Sequence, residues 1–453
     1  MHSVTYRELL GRNRNFRWLW MGQIISELGT WFSFIAELGL VRLISGSTWA
    51  TTGLLVARLL PFLLAAPIAG VFVDRYSRKR ILILTDLLRA LVALLYVAAG
   101  ALRSVELVII GSALMSSLTM FFEGAKNAAI PNLTSGRELL SANVLMFSLR
   151  FLQFTLGSAL GGVTAAQFGY NVAFIVNSLS FVASAICIAA IPANAMRKAG
   201  IQASAPAVVA TSVEAAATEP IAGSEQPIAA ERQHFLTDLR EGLRYIWATP
   251  FVRAVILVNI GWGTGGGMNN LIFDQVGGHV FNGGAGDRGD WNVAMLFTAA
   301  GAGVFLGMLL SRRVSAWISD EQRAGRFIGW ALLLHGGLFA IGGWMPSLLL
   351  MSLWIAASRL VLGAEFGVQE TMMMRVIPDD YRGRVFTTDR SLELATMAIT
   401  TIVAGWLLTH ISPRVMMITS GLLSASPGLF WLMAMWAARF RVPARAVRES
   451  YGD

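Results

Sequence analysis

Charged side chains lie deep inside several long apolar runs of this sequence. They are Glu27, Arg58, Arg150 and Arg359. At a helical rise of about 1.5 Å per residue, Glu27 lies roughly 16 Å, and Arg58 roughly 14 Å, inside its run. An ionised side chain in the middle of a bilayer costs about 2.5–3.5 kcal/mol, so each of these charges requires a partner or a role. We expect Glu27 to exchange a proton, with Arg58 as its nearest positive partner; a permanent structural ion pair is the alternative.

A second group of charges lies where apolar runs end. Glu123 and Glu370 stand 247 residues apart in equivalent surroundings, and each has a basic residue nearby, Lys126 and Arg375. Acid–base pairs at the mouth of a helical bundle can part and rejoin as helices move. We expect these four residues to act as cytoplasmic gates. Glu37, near the other end of its run, is expected to be a solvated carboxylate.

The composition indicates what kind of structure must position these charges. Of the 453 residues, 55% are hydrophobic and only 14% are charged. A soluble domain carries about 25% charged residues, so a soluble enzyme of this length would need more ionic groups on its surface. A lipid environment for most of the side chains explains the difference.

The apolar residues form runs long enough to cross a membrane, which takes about 20 residues in a helix. The first six runs are 16–43, 49–73, 81–101, 105–123, 139–167 and 170–191. The second six are 251–273, 290–310, 327–345, 347–369, 391–410 and 415–438. The sequence therefore predicts an all-α membrane protein with twelve transmembrane helices. The first run is too long for a cleaved signal peptide.

Basic residues are distributed unequally between the two ends of these helices. The side that holds both termini has 28 Lys and Arg residues, and the other side has 4. Basic residues remain in the cytoplasm during membrane insertion. We therefore expect a multi-pass protein of the bacterial inner membrane with both termini in the cytoplasm.

A polar break divides the twelve runs into two groups of six. Residues 199–230 are rich in Ala, Pro, Ser and Thr and contain no Lys or Arg, a composition typical of a flexible linker. An amphipathic helix is predicted at 233–247, in the membrane interface. The predicted domains are an N-terminal six-helix bundle at 1–191, a cytoplasmic linker at 192–250, a C-terminal six-helix bundle at 251–440 and a tail at 441–453.

The two groups of six repeat each other in sequence. Ile130-Pro131-Asn132 recurs as Ile377-Pro378-Asp379, which indicates two units of the same orientation related by an axis along the membrane normal. We therefore expect two pseudo-symmetric six-helix bundles with a site between two bodies that can rock.

The loop between the second and third runs carries a pattern known from one family. It reads Gly70-Val71-Phe72-Val73-Asp74-Arg75-Tyr76-Ser77-Arg78-Lys79-Arg80 and resembles the hallmark loop of the major facilitator superfamily. The resemblance implies a conformational-switch loop formed by Gly70, Asp74, Arg75, Arg78 and Lys79. It also implies that Asp74 caps the cytoplasmic start of the eleventh helix in the outward-facing state, since a carboxylate is favoured at a helix N-terminus.

Shorter stretches resemble the drug/siderophore exporter branch, which includes enterobactin exporters and macrolide efflux pumps. They are Asn13-Arg14-Asn15-Phe16-Arg17-Trp18-Leu19-Trp20, Asp86-Leu87-Leu88-Arg89-Ala90, Glu241-Gly242-Leu243-Arg244-Tyr245 and Pro378-Asp379-Asp380-Tyr381-Arg382-Gly383-Arg384-Val385. The resemblance implies export of a small amphipathic, drug- or siderophore-like compound by alternating access, with proton antiport. The candidates for the substrate cavity are Trp31, Phe34, Arg150, Trp262, Asn269, Arg359 and Phe366.

The chain departs from the family pattern at three positions. Thr30 stands where many relatives carry Asp, Met374 where they carry Gln, and Ser158 replaces proline in a stretch similar to the antiporter motif, Gly157 to Gly162. These departures make proton antiport less secure than transport itself, and three alternatives stay open. They are uncoupled facilitated flux, transport of a lipid or lysolipid, and a membrane sensor or scaffold that does not transport.

The sequence predicts neither catalytic residues nor a metal site. The five histidines have no metal-ligand spacing, no nucleotide-binding loop is present, and Cys187 is the one cysteine. We expect no enzymatic activity, no cofactor and no nucleic-acid partner. The expected partners are a small-molecule substrate, protons and the lipid bilayer, and we expect a monomer.

Overall fold

The computed structural model describes residues 5–64, 72–73, 75–196, 240, 243–281, 289–318 and 320–437. Within these ranges the regular structure is helical. The helices of the first half are α1 Tyr6–Arg12, α2 Arg14–Ser45, α3 Thr48–Leu64, α4 Arg78–Leu102, α5 Val105–Leu133, α6 Gly136–Phe168 and α7 Tyr170–Ala189. Those of the second half are α8 Pro250–Gly266, α9 Asn269–Gln275, α10 Asp290–Trp317, α11 Glu321–Gly342, α12 Leu348–Val376, α13 Asp379–Leu407 and α14 Pro413–Trp436.

Nine helices in the described part of the chain are long and apolar enough to cross a membrane. They are α2, α4, α5, α6, α7, α10, α11, α12 and α14. The remaining three predicted runs coincide with α3, with α13, and with α8 followed by α9. The helix breaks between α8 and α9, where the sequence is rich in glycine. The predicted all-α membrane fold is confirmed, and the helix order is that of two groups of six.

The two halves contact each other through reciprocal helix pairs. The second long helix of the first half, α3, packs against the fifth of the second half, α13, and α6 packs against α10 in the same way. Within each half the helices pack mainly on their own neighbours, as α2 does on α7 and α11 on α14. This reciprocity is what a two-fold relation between the halves produces.

Two ends of the bundle can be distinguished. We name as the basic end the one where α2 begins at Arg14, α4 at Arg78 and α13 at Asp379. At the opposite end α2 terminates at Ser45 and α10 begins at Asp290. The depth of a residue is given below as its distance from one of these ends.

Small residues bring the halves into close contact near the opposite end. A Cβ atom on Gly162 of α6 would lie 2.0 Å from the Cβ of Ala294 on α10, and one on Gly405 of α13 would lie 2.3 Å from the Oγ1 of Thr52 on α3. The glycines therefore permit backbone approach that any larger residue would prevent. The rings of Phe34 and Phe297, 5.4 Å apart, join the halves further inside.

Two of the sequence motifs secure helix junctions at the basic end. The side-chain oxygen of Asn13 caps α2 by accepting from Phe16 N at 3.0 Å, and its amide donates to Leu133 O at 2.7 Å. In the second half the guanidinium of Arg382 donates to Met374 O at 2.8 Å and thereby binds the end of α12. These motif residues hold helix termini together.

Most of the predicted linker and tail lies outside the described residues, including 199–230 and 441–453. The described end of the predicted interfacial helix packs against the second half. Tyr245 stacks on Tyr381 with ring centroids 4.6 Å apart, and Ile246 is buried in a cluster with Phe251. This part of the segment is therefore anchored on protein, and its position in the membrane interface stays a prediction.

Candidate functional site

Several deep charges of the first half form a cluster around Glu27. Glu27 is half-buried on α2, and its Oε1 accepts from Gln23 Nε2 at 3.1 Å. Glu123 and Lys126 of α5 and Arg150 of α6 are its charged neighbours. Arg150 is exposed although it lies far inside α6. Because its neighbours are ionic and not lipid-like, this exposure indicates a polar space inside the bundle.

The predicted pairing of Glu27 with Arg58 is wrong. Arg58 Nη1 instead donates to Glu37 Oε2 at 2.8 Å. With 32 residues, α2 is longer than the bilayer requires. Arg58 and Glu37 both lie about 12–15 Å from the opposite end, at about 1.5 Å per residue, whereas Glu27 lies about 27 Å from it. The starts of these two helices lie at different ends of the bundle. Equal distances from the start of each run therefore do not mean equal depth, and they pair Arg58 with the wrong carboxylate.

Glu37 is also not the solvated carboxylate expected from its position. It is 1% exposed, and its two oxygens accept from Ser33, Ser112 and Arg58 at 3.2, 3.1 and 2.8 Å. The hydroxyl of Tyr96 lies 3.2 Å from Ser112 Oγ and extends the network. A fully satisfied buried network of this kind holds α2, α3 and α5 together.

One of the two predicted gate pairs forms. Lys126, which is buried, binds Glu123 one helical turn before it. Among the described residues neither a hydrogen bond nor an ion pair joins Glu370 to Arg375. Arg375 is exposed, and the charged neighbour of Glu370 is Glu393 on α13. The gate expected for Glu370 with Arg375 is therefore wrong in this structure.

The second half contains a polar cluster that the sequence did not predict. Both oxygens of Asp389 on α13 accept from Asn259 Nδ2 of α8, at 3.1 and 2.9 Å. Asn259 Oδ1 in turn accepts from Gln369 Nε2 of α12 at 2.8 Å. Three helices are thereby joined by a chain of side-chain hydrogen bonds. Glu393, one turn beyond Asp389, binds Arg390 at 2.7 Å.

A sequence signal for this cluster exists. Asp389 and Glu393 lie one helical turn apart on α13, which places them on one face. The eleventh predicted run begins only at 391, so it does not include Asp389. The helix begins at Asp379, and Asp389 lies well inside it.

The charges of the two clusters share one depth. Glu27, Glu123, Arg150 and Asp389 each lie 18 residues from the opposite-end terminus of their helix, at Ser45, Val105, Phe168 and Leu407 respectively. At about 1.5 Å per residue this corresponds to a layer about 27 Å from that end. We call these four residues the charge layer.

The predicted cavity residues are scattered over several environments. Trp31 is half-buried against Phe154, at 4.3 Å between ring centroids, and Phe34 is buried where the halves meet. Trp262 donates to His335 at 3.4 Å, and Phe366 is exposed. Of the predicted cavity residues, Arg150 is the one that belongs to the charge layer.

Two further cavity candidates are packed away from an open space. Asn269 is buried and accepts from Ser420 Oγ of α14 at 3.1 Å. Arg359 is buried on α12 with its guanidinium 5.2 Å from the ring centre of Phe339. Both side chains therefore contribute to helix packing in this structure.

The predicted switch loop is described in part. Gly70 and Asp74 lie outside the described residues, and Arg75 is exposed. Arg78 donates to Ala128 O at 2.8 Å, and Lys79 donates to the carbonyls of Ala189 and Ile191 at 2.7 and 2.6 Å. Basic side chains stabilise the carbonyl ends of helices. Arg78 and Lys79 thus bind the loop to α5 and to the end of α7.

Comparison with known proteins agrees with this architecture. Residues 10–217 match the family described as transmembrane secretion effector. The chain is 23% identical to the MFS-type transporter YfiS of Bacillus subtilis (strain 168), over 96% of each chain. It is 25% identical to the multidrug efflux pump Tap of Mycolicibacterium fortuitum, over 83% of this chain and 85% of Tap.

A solved structure has the same fold. It is a bacterial homologue of the human lysosomal transporter Spinster, in an inward-facing and unoccupied conformation, with a TM-score of 0.65 and 14% identity. The similarity covers 93% of this chain and 97% of that one. Whole-length similarity, helix order and fold agree, and the chain is similar to MFS-type transporters over almost its whole length.

Proposed function

We propose that this transporter exports small amphipathic compounds by alternating access, with protons moving in the opposite direction. The observation that carries the proposal is the contrast between the two ends of the bundle. Near the opposite end the halves are in van der Waals contact, at Gly162 with Ala294 and at Gly405 with Thr52. Further towards the basic end lies the charge layer, with Arg150 exposed.

This contrast supports a state that is closed at one end and open at the other. A charged side chain in lipid costs about 2.5–3.5 kcal/mol, so exposed charge at this depth requires water. Water reaches it from the basic end, because close helix contacts block the opposite end. Two bundles related by a two-fold axis can rock against each other and so reach the state that is open at the opposite end and closed at the basic end.

The orientation follows from the distribution of charge. The basic end carries 28 Lys and Arg residues and the opposite end carries 4, so the positive-inside rule assigns the basic end to the cytoplasm. Both termini are then cytoplasmic and the described state is inward-facing, in the plasma membrane of a bacterium. The monomer, with one pathway per chain, is the proposed functional unit.

Two clusters contain a carboxylate that could bind the transported proton. Glu27 has a negative neighbour, Glu123, and three positive ones, Lys126, Arg150 and Arg89. Arg89 is paired with Asp86, so the cluster is close to electroneutral. The second cluster contains Asp389, Glu370 and Glu393 with Arg390 as their cation. Excess negative charge inside a membrane is relieved when a proton binds, which makes Asp389 a second candidate besides Glu27.

The proposed substrate class rests on the side chains around the polar space in the first half and on what similar proteins transport. Aromatic and charged groups, such as Trp31 and Arg150, lie within one bundle, a combination suited to molecules with an apolar body and a polar group. Tap is a multidrug efflux pump. An amphipathic compound of drug size is therefore the proposed substrate.

Inverted membrane vesicles provide the test, because export then becomes uptake. With ethidium as an amphipathic probe, we expect uptake that an acidic vesicle interior stimulates and that a protonophore abolishes. Vesicles from cells without the protein are the control. Uptake that ignores the pH gradient would support uncoupled flux, and the absence of uptake for ethidium and for a macrolide would contradict export.

Variants separate the two proton candidates. We expect Glu27→Gln to remove the stimulation by the gradient and to leave downhill flux in place. Glu106→Gln is the matched control, because Glu106 is exposed at the start of α5. If the gradient still stimulates Glu27→Gln as it does the unmodified protein, Glu27 is excluded, and Asp389→Asn becomes the decisive variant.

A further inference from the structure

A network of buried charges joins the two halves at the opposite end. Arg42, near the end of α2, donates to Asp274 of α9 through Nη1 and to Asp290 Oδ1 of α10 through Nη2, the latter at 2.6 Å. Arg42 belongs to the first half and both carboxylates to the second. The side chains are 8%, 0% and 1% exposed, respectively.

Each carboxylate oxygen of this network has a donor. Asp274 Oδ2 accepts from Gln275 Nε2 at 3.1 Å. Asp290 Oδ2 accepts from the hydroxyl of Tyr170 at 2.8 Å, and Tyr170 again belongs to the first half. Asp290 is the first residue of α10, where the helix dipole favours a negative charge. Two contacts from the first half therefore hold Asp290.

The backbone around the network fits it closely. A Cβ atom on Gly39 would lie 2.5 Å from Asp290 Oδ1, and one on Gly278 would lie 2.7 Å from Arg42 Cδ. Larger residues at these two positions would displace the charged groups. The site is therefore shaped for one arginine between two carboxylates.

We propose that Arg42, Asp274, Asp290 and Tyr170 form a latch that closes the outer end of the pathway and opens once in each transport cycle. This inference rests on the alternating-access function proposed above. A buried ion pair gains little over its hydrated, separated partners, because desolvation offsets most of the attraction. Such a contact can break when water enters. It also fixes the register of the halves, which the apolar contacts between Phe34 and Phe297 do not.

The latch complements the predicted switch loop. Arg75, Arg78 and Lys79 lie at the basic end, whereas the latch lies at the other end of the bundle. The family resemblance implies that the loop stabilises the outward-facing state. The latch stabilises the inward-facing one, so each state has a polar device at its closed end.

Labelling of a buried cysteine tests the latch. Ala294 is 1% exposed and contacts Gly162 across the interface, so a cysteine at this position reacts with an impermeant thiol reagent from outside only when the end opens. The variant Ala294→Cys is made in a Cys187→Ser background, which removes the native thiol, and is labelled in intact cells.

We expect Arg42→Met to increase the labelling rate at least about tenfold, since truncating one partner of a buried charge pair has a large effect on the paired state. The triple variant Arg42→Met, Asp274→Asn, Asp290→Asn should be labelled at a rate between those of the parent and of Arg42→Met, because it lacks the latch but leaves no uncompensated charge. Arg414→Met is the matched control. Arg414 lies at the same end but contacts Met345 and Phe281 of its own half.

Equal labelling of the Arg42→Met and Arg414→Met variants, with ethidium uptake intact, would overturn the latch and leave the transport function standing. If position 294 is never labelled in any variant, even while ethidium is supplied, the alternating-access function itself fails. Should Arg42→Met not reach the membrane, Tyr170→Phe provides the test. It removes one hydroxyl, and a labelling rate unchanged from the parent would contradict the latch.

Discussion

Arg89 and Asp86 form a buried ion pair one turn apart on α4. The guanidinium lies 4.1 Å from the ring centre of Phe122 and 4.6 Å from that of Phe181. Cation–π contacts of this kind are worth about 2 kcal/mol or more when they are desolvated. The sequence motif Asp86 to Ala90 thus has a structural role, since it places a neutral, aromatic-lined pair between α4, α5 and α7.

Removing the cation of this pair should destabilise the protein. We expect Arg89→Met to cost about 3–5 kcal/mol, because Asp86 would remain as a buried charge without a partner. The measurement is the melting temperature of the purified protein in detergent. Arg12→Ala is the control, because the Arg12–Glu8 pair is largely exposed. A melting temperature as little changed in Arg89→Met as in the control would contradict this role.

Arg58 shows how a partner is selected at the residue scale. It binds Glu37 and stacks on Phe34, with its guanidinium 4.5 Å from the ring centre. Both partners lie on α2 closer than Glu27 to the opposite end of the bundle, where α2 terminates at Ser45. A double-mutant cycle distinguishes the observed pairing from the one expected from the sequence.

In such a cycle, Arg58→Met and Glu37→Gln should couple by about 0.5–3 kcal/mol, as residues in one network do. Arg58→Met and Glu27→Gln should be additive within about 0.5 kcal/mol. Both cycles are measured by thermal unfolding in detergent. Stronger coupling of Arg58 to Glu27 than to Glu37 would show that the described pairing is not the stable one.

At the scale of helices, α6 is held between two partners. Cβ atoms on Gly157 and Gly161 would lie 2.5 and 2.7 Å from atoms of Trp31 and Phe32 on α2, and Gly162 faces Ala294 on α10. The stretch that resembles an antiporter motif therefore combines packing within a half with packing between halves. Small residues are required in this stretch because larger side chains would overlap with α2 or α10.

A larger residue at the contact between halves should keep the outer end open. We expect Gly162→Val to shift the population away from the described state, which we propose to be inward-facing, because even one Cβ atom would overlap with Ala294. The distance between spin labels at Ser47→Cys and Thr409→Cys, in the Cys187→Ser background, reports the opening. Both positions are exposed at this end.

The matched control is Gly337→Val, because nothing lies within 4 Å of a Cβ atom on Gly337 of α11. This variant should leave the distance distribution unchanged. If Gly162→Val and Gly337→Val give the same distribution, then the contact of Gly162 with Ala294 does not limit closure.

At the scale of the whole molecule, charge decides orientation. The 28 basic residues of one end and the 4 of the other bias insertion so strongly that one topology is expected. The basic residues also have local roles, because Arg78, Lys79 and Arg382 bind helix carbonyls. The same side chains therefore bind helix junctions at the end that the proposed orientation assigns to the cytoplasm.

Two single cysteines test the topology. In the Cys187→Ser background, Ser47→Cys at the outer end should react with an impermeant thiol reagent in intact cells, and Ser77→Cys at the basic end should react only after lysis. Both serines are exposed, so lysed cells provide the internal control. The reverse pattern would invert the proposed orientation and, with it, the direction of transport.

The sequence alone determined the properties that depend on composition and order along the chain. Hydrophobic runs of bilayer length predicted the helices, because backbone groups in lipid must be hydrogen-bonded within a segment. The Glu123–Lys126 pair was also predictable, since residues three apart share one helix face. The two related halves followed from the repeat that includes Pro131 and Pro378.

The tertiary structure decided which side chains meet across helices. Glu37 as the partner of Arg58, Asp389 with Asn259, and Arg42 with two carboxylates of the other half all join residues that are distant in sequence. Hydropathy gives the depth of a residue only approximately and says nothing of its direction around the helix axis. Partners across a bundle depend on both, and both are fixed only when the helices pack.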